Sequence, residues 1–340
     1  MAPQPVIRVI GSLNIDFVTR TPRVPGPGET LQATSMTVHA GGKGANQAVA
    51  CGKAAFISET TQDVTVDMIG AVGKGDPYYT SLLKPTLEKS GVSATGVEEI
   101  EGVQTGTATI IVDEGSNGEN RILVVPGANH RVNDLKKLMP IISRDGEPDV
   151  IVMQGEIPRS TVLALLNVFN SSENRTCVIF NPAPVFPEGI PIAALAGLAV
   201  LVVNETECLL LFKVVEELNS IQVPDEGDLE ESHLDRLTKH LHDLAGISIV
   251  VVTLGSRGVY YSAGQTRGMV SAVKVKKVVD TTAAGDTFVG YFSTALARHT
   301  AMKHDLESLD IATAVTKANE AAAKCVQRDG AMESIPFGYE

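Results

Sequence analysis

The chain has 340 residues, 44% of them hydrophobic, 20% charged and 4% aromatic, a globular balance that excludes collagen, mini-proteins, disordered tails and repeat stalks. Its 28 basic residues against 40 acidic give a net charge of −12, a field that repels nucleic-acid backbones and anionic lipid. An anionic small ligand would need a local site of N–H groups and a few cations, and the absence of tryptophan argues against a stacking platform for single strands.

The N-terminal MAPQPV runs directly into an apolar strand at Val6–Ile10, without the charged region and long apolar core of a signal peptide. Phe17–Val38 is rich in Pro, Gly and Thr and has period-2 character. A helix is predicted over Gly44–Ala54, where Ala45, Ala48, Val49 and Gly52 form a narrow small-residue face. Next come a strand at Asp67–Val72 and a helix at Tyr78–Ser90. Gly102–Val125 reads as a hairpin, TGTATIIVDEG and RILVV around SNGEN. Helices at Val132–Ser143 and Arg159–Asn170 then alternate with strands at Asp149–Met153, Cys177–Phe180 and Ala199–Val203. Helices at Glu205–Glu217 and Ser232–Ala245 flank the acidic, turn-rich Asn219–Glu231, a solvated insertion. A strand at Ser248–Thr253 and an apolar helical run from Gly285 through Ala297 follow.

This alternation predicts an α/β fold with a mainly parallel sheet covered by helices. The two period-2 stretches, about 17–38 and 102–125, would make a small separate sheet, a lid over a cleft; an edge extension of the main sheet is the alternative. The whole of 1–340 reads as one domain. Cys51, Cys177, Cys208 and Cys325 lie far apart with no C-x-x-C pair, as reduced, mostly buried thiols of a cytosolic protein would. The longest apolar runs are too short to span a bilayer. The expectation is a soluble cytoplasmic protein, a nuclear location remaining open.

The P-loop pattern, a G-x-G-x-x-G after the first strand, H-E-x-x-H and G-x-S-x-G are all missing. His233, His240 and His242 share a predicted helix and read as a solvated face. The strongest signal is Asp280-Thr281-Thr282-Ala283-Ala284-Gly285-Asp286-Thr287-Phe288. Small residues open a helix there, and unpaired N–H groups at a helix N-terminus attract an anion. Asp286 is either an N-cap or a general base that takes a hydroxyl proton as the oxygen attacks a γ-phosphate. The second signal is Asn14 and Asp16 in GSLNID, followed by Gly41-Gly42-Lys43-Gly44-Ala45-Asn46-Gln47 opening the first helix. Amide and carboxylate groups at the end of a strand suit the vicinal hydroxyls of a sugar; a plain glycine-rich turn is the other reading.

GSLNID, GGKGANQAVA, VPGAN, NPAP, NETE, TLGSRGV and DTTAAGDTF occur together and in order along nearly the whole chain. With these motifs the chain resembles the ribokinase-like (PfkB) sugar kinases, GGKGANQ and DTTAAGDTF being specific as a pair. The resemblance implies a three-layer α/β/α fold with a β lid and ATP-dependent phosphorylation of D-ribose at O5. Asn14, Asp16, Gly42, Lys43, Asn46 and Glu156 would hold the ribose, and Asp286 would deprotonate its 5-hydroxyl. The backbone of Ala283, Ala284, Gly285 and Asp286 would form the anion hole. Asn204 and Glu207 match the N-x-x-E motif, with Glu207 reaching Mg²⁺ through water; by itself Asn204 is equally a helix N-cap. Thr253, Leu254, Gly255, Ser256, Arg257, Gly258 and Asn319 match nucleotide-contacting positions. Asp280, Thr282, Cys325, Arg328, Gly330 and Ser334 match a K⁺ site built mainly from carbonyls, with the carbonyl of Cys325 and not its sulfur as ligand. Lid pairing implies a homodimer.

The chain departs from the compact family pattern at Ile57–Val66 and Asn219–Glu231, both expected on the surface. Glu340 follows Ser334 by six residues, so the expectation from the resemblance is a cation loop without a further helix to close it. Two other functions remain in view. One is a kinase of another pentose or a nucleoside, although a nucleoside would need apolar cover for its base. The other is a non-catalytic sugar-binding regulator, which would have no use for Asp286.

Overall fold

The computed structural model describes residues 4–116, 119–171, 174–302 and 305–340. In chain order the strands are β1 (Val6–Ile10), β2 (Asn14–Thr21), β3 (Ser35–Gly41), β4 (Phe56–Ser58), β5 (Thr61–Gln62), β6 (Thr65–Gly73), β7 (Val92–Ile100) and β8 (Gly106–Asp113). They continue with β9 (Glu119–Val125), β10 (Val150–Met153), β11 (Cys177–Phe180), β12 (Val200–Asn204), β13 (Ile249–Thr253), β14 (Val259–Ala263) and β15 (Thr266–Val270). The helices are α1 (Lys43–Ala55), α2 (Lys84–Lys89), α3 (Leu135–Ile142), α4 (Arg159–Phe169), α5 (Glu205–Val214), α6 (Glu231–Ala245), α7 (Ala284–Ala301) and α8 (Ile311–Cys325).

A nine-stranded sheet runs β15-β14-β13-β12-β11-β10-β1-β6-β7. It is parallel from β7 to β13 and ends in the antiparallel β14 and β15. The central strands are mostly apolar (VIRVI, VIVM, IVVVT) because both faces are covered, and the one buried charge among them, Arg8, is paired with Asp67. Alternation sorts their side chains between two cores. Ile7, Val9, Ile249 and Val251 pack on the face of α1, α7 and α8, whereas Ile10, Val250 and Val252 pack on the face of α4, α5 and α6. Small residues let α1 and α7 approach closely, with Ala50 against Gly290. The three-layer expectation holds.

A separate four-stranded sheet, β3-β2-β8-β9, takes up the two period-2 stretches. Its central pair, β2 and β8, is parallel, with Asn14 opposite Gly106, so it is built from two distant hairpins. The hairpin turn holding Asn117 and Gly118 lies outside the described residues.

Several boundaries differ from expectation. β7 was not anticipated, because VSATGVEEI has no apolar run and lies at the sheet edge. The β14–β15 hairpin is likewise an edge feature. The segment Tyr78–Ser90 divides into a wide turn at Tyr79–Leu83 and then α2, where Pro85 has no N–H to continue the regular ladder. α3 starts at Leu135, capped by the Asp134 carboxylate, which accepts from Lys136 N at 3.0 Å. Residues 56–62 form the short β4–β5 hairpin on the surface, but the rest of the expected surface segment does not lie there, since Val64 and Val66 are buried and Thr65 begins β6; 219–230 lie on the surface with Leu229 as a buried anchor. Among the described residues no helix is long and apolar enough to cross a membrane.

Candidate active site

The chain leaves β1 and enters the small sheet within three residues, so Asn14 and Asp16 stand on lid strand β2 itself and not on a loop after β1. Asn14 Oδ1 accepts from Asn129 Nδ2 at 2.7 Å, and Asn129 Oδ1 in turn accepts from Leu13 N at 2.9 Å. Asp16 faces the backbone of Gly41 so closely that a Cβ there would fall 2.1 Å from its carboxylate. Gly42 then turns into α1 with φ 89°, a conformation that other residues resist. Glu156 crosses from the loop after β10 to accept from Lys43 N at 2.9 Å and from the Ser12 hydroxyl. Burial, reinforced by the Glu156 charge, pushes the Asp16 carboxyl up to about 7.

Asp286 lies on the first turn of α7, buried, with both carboxylate oxygens held by amides of α1. Asn46 Nδ2 donates to Oδ2 at 3.0 Å and Gln47 Nε2 to Oδ1 at 2.9 Å. These bonds show that Asp286 is no N-cap. The cap position is Ala283, whose left-handed backbone (φ 60°) swings the chain into the helix. Among the described residues no backbone or side-chain acceptor takes the N–H groups of Gly285 and Asp286. Beside them opens a cleft of about 210 Å³, lined by Lys43, Asn181, Asn204, Glu207, Thr253 and the Ala283–Asp286 turn.

Also lining the cleft, Asn204 and Glu207 form a reciprocal capping box on α5. Asn204 Oδ1 accepts from Glu207 N at 2.7 Å and Glu207 Oε2 accepts from Asn204 N at 2.9 Å. The helix-cap reading of Asn204 therefore holds, within a cleft that Glu207 also lines. Burial raises the Glu207 pKa, with Asp286 adding to the effect and the Asn204 N–H, Lys43 and Asn181 opposing it. For the Lys43 ammonium burial acts downward, but Asp286, Glu156 and Glu207 outweigh it and the pKa is raised. A cation poised among three carboxylates in a cleft is suited to an anionic ligand.

Not every anticipated residue joins this cleft. Thr253 lines it, whereas Leu254 and the Gly255–Arg257 turn with Gly258 lie beyond its lining. Arg257 is occupied by Glu205 at 2.6 Å and the Leu229 carbonyl at 2.7 Å. Asn319 ties α8 to the strand end through Ser271 O at 2.9 Å. The two loops expected to hold a cation do adjoin. Asp280 Oδ1 accepts from Thr282 N at 2.9 Å, its Oδ2 from Gly330 N at 3.3 Å, and Cys325 Sγ lies 3.0 Å from Ser334 Oγ. Arg328 N donates to the Cys325 carbonyl at 3.0 Å, and the Arg328 guanidinium pairs with Glu340. The C-terminal segment is anchored by Lys53 Nζ, which donates to Met332 O at 2.8 Å and Ile335 O at 2.9 Å.

Two of the three α6 histidines, expected on a solvated face, have structural partners. His233 Nδ1 accepts from Glu230 N at 3.2 Å, and His242 bridges Ile247 O and Ser262 Oγ. Sequence reasoning missed Gln47, Gln154, Asn181 and Asn129. Gln154 and Asn181 follow apolar strands and Gln47 lies inside a small-residue helix, a mismatch that was the available signal, whereas Asn129 sits in the Gly127–Arg131 turn and carried none.

Two helix N-termini lining one cleft, one of them bearing a buried carboxylate, at the carboxyl ends of β12 and β13 define an open α/β class that binds at the carboxyl ends of its strands. The chain matches the family model described as pfkB family carbohydrate kinase over residues 5–337, and it belongs to that family. It is 38% identical to a ribokinase of Schizosaccharomyces pombe over 97% of this chain and 94% of that protein, and 34% identical to one of Lactococcus lactis over 97% and 93%. The Thermotoga maritima ribokinase structure superposes with a TM-score of 0.78 at 33% identity, covering 99% of this chain and 97% of that one. The Arabidopsis thaliana ribokinase complexed with ribose and ATP superposes with a TM-score of 0.79 at 27% identity, covering 99% and 97%.

Proposed function

We propose that the chain transfers the γ-phosphoryl group of ATP to O5 of D-ribose, giving ribose 5-phosphate and ADP. The observation that carries this reading is the Asp286 carboxylate, fixed by Asn46 and Gln47 beside the open N–H groups that begin α7. Asn14, Asp16, Gly42, Lys43, Asn46 and Glu156 hold the sugar under the lid sheet. The buried Oδ1 of Asn46, without a partner among the described residues, accepts from a sugar hydroxyl. Asp286 takes the O5 proton as O5 bonds to the γ-phosphorus. The bond from that phosphorus to the β,γ-bridging oxygen breaks, and ADP departs with the electron pair. The N–H groups of Gly285 and Asp286 receive the charge that develops on the transferring group, aided by the Lys43 ammonium. Asn204, Thr253, Leu254, Gly255, Ser256, Arg257, Gly258 and Asn319 serve the nucleotide side.

The residues present fit two cations. Glu207 is a half-buried carboxylate that lines the cleft beside the Ala283–Asp286 turn, where it would reach Mg²⁺ through water, and Mg²⁺ there would neutralise charge on the phosphates. Asp280, Thr282, Cys325, Arg328, Gly330 and Ser334 sit on two adjoining loops and supply carbonyl and hydroxyl oxygens, a donor set suited to K⁺. The exposed apolar edge of the lid, Ile122 to Val125 on β9, pairs with a second copy to form a homodimer. Burial pushes the Cys51 and Cys208 thiols up to about 12, which fits inert thiols in a reducing cytoplasm.

A coupled ADP-release assay with ribose, deoxyribose, fructose and adenosine, in K⁺ and in Na⁺, tests the substrate and the cation. Ribose should give the highest kcat/KM, and K⁺ should exceed Na⁺; equal rates across the sugars would overturn the assignment. Asp286→Asn should lose most turnover, about 10²- to 10⁴-fold, with sugar binding retained. Near-normal activity in that variant would remove the general-base role.

A further inference from the structure

Gln47 occupies a singular position on α1. It is fully buried and absent from the cleft lining, yet its amide meets three groups. Nε2 donates to Asp286 Oδ1 at 2.9 Å and to Asn181 Oδ1 at 3.0 Å, while Oε1 accepts from Gln154 Nε2 at 2.7 Å. Asn181 Nδ2 donates onward to Val202 O at 2.9 Å and to Glu207 Oε2 at 3.4 Å.

The direction of every amide in this chain is forced. A backbone carbonyl can only accept, so Asn181 must turn its NH₂ toward Val202 and its oxygen toward Gln47. Gln47 must then present NH₂ to Asn181, and its carbonyl is left to Gln154, which must donate. The ionised Asp286 also can only accept, and it requires the same orientation of Gln47. A backbone carbonyl at one end and a carboxylate at the other thus specify one arrangement of three side-chain amides.

We propose that Gln47 is a positioning residue for Asp286, and that Gln154 and Asn181 act through it by locking its amide with NH₂ toward the carboxylate. The inference rests on the general-base reading of Asp286. With Asn46 fixing Oδ2 and Gln47 fixing Oδ1, the carboxylate cannot rotate about its final bond, and its remaining lone pairs stay aimed at the cleft. Through Asn181 the same chain reaches Glu207, so the base and this second cleft-lining carboxylate share one frame.

The test compares Gln47→Met, Gln154→Met and the double variant with Asp286→Asn. Met keeps length and apolar volume but removes the amide. Gln47→Met should lower kcat about 10- to 100-fold, with KM and calorimetric Kd for ribose within about twofold, because Gln47 does not line the cleft. Gln154→Met should lower kcat by a smaller factor, and the double variant should match Gln47→Met, since Gln154 acts only through Gln47. Thermal melting confirms that each variant is folded; should Gln47→Met fail to fold, Gln154→Met alone must show the fall in kcat at unchanged Kd. A Gln47→Met kcat within twofold of the parent, or additive losses in the double variant, would overturn the proposal. Asp286→Asn separates the two readings: active, it sinks the base assignment; inactive beside a normal Gln47→Met, it sinks the positioning role alone.

Discussion

Asp16 gives the sharpest link between electrostatics and function. Its carboxyl is raised from an ordinary 3.8 to about 7 by burial first and by the neighbouring Glu156 charge second. In the unfolded chain the same group ionises near its ordinary value. Between about pH 4 and pH 7 the folded protein therefore binds the extra proton, and stability falls as pH rises through that window and levels off above it. Raising a carboxyl from 3.8 to about 7 corresponds to at most about 4 kcal/mol at pH 8, and relaxation of the site makes about 2–4 kcal/mol the expected range. Asp16→Asn removes this penalty. For a chain of 340 residues that shift corresponds to a melting temperature about 3–5 °C higher at pH 8, shrinking toward zero at pH 4. The same variant should bind ribose about 10- to 100-fold more weakly, because a neutral amide replaces a charged acceptor of hydroxyl protons. In the parent protein, ribose affinity should rise with pH between 6 and 8 as the carboxylate becomes available. Calorimetric Kd values and melting curves at pH 4, 6 and 8 check all three. A pH-independent difference in melting temperature between Asp16→Asn and the parent would refute the reasoning.

Gly41→Ala should act on the sugar and not on the chemical step. The new Cβ would fall 2.1 Å from the Asp16 carboxylate and displace it, so Kd for ribose rises about 10-fold or more while kcat at saturation changes little. An unchanged Kd would show that Asp16 does not hold the sugar. Glu207→Gln should leave the α5 cap in place, because the amide oxygen still accepts from Asn204 N, and should cost under about 1 kcal/mol of stability. Its half-saturating Mg²⁺ concentration should rise about 10-fold in the ADP-release assay, and an unaltered Mg²⁺ response would remove Glu207 from the metal's surroundings.

The parts of this molecule legible in its sequence are those where one local rule decides. Largely apolar runs such as VIRVI, VIVM and IVVVT read as strands buried on both faces, and the parallel sheet followed from them. The edge strands β7 and β15 escaped because an edge needs no apolar run; their identity is set by the neighbour they pair with. The same division runs through the site. Gly41, Gly42 and the Ala283–Asp286 turn were visible because close backbone approach demands small residues at fixed spacing. The partners of Asp286 were not, because Asn46 and Gln47 meet it across 240 and 239 residues of chain. Asn14 shows the intermediate case. Its chemistry was evident, but its place on β2 depends on a pairing with Gly106, which only the assembled lid sheet provides. A polar side chain inside an apolar segment marks where to look, since burying it without partners costs too much to be accidental. Gln47 and Gln154 both carry that mark, and their geometry supplies the partners. The mark alone could say that a network exists, whereas its direction required the Val202 carbonyl at one end and Asp286 at the other.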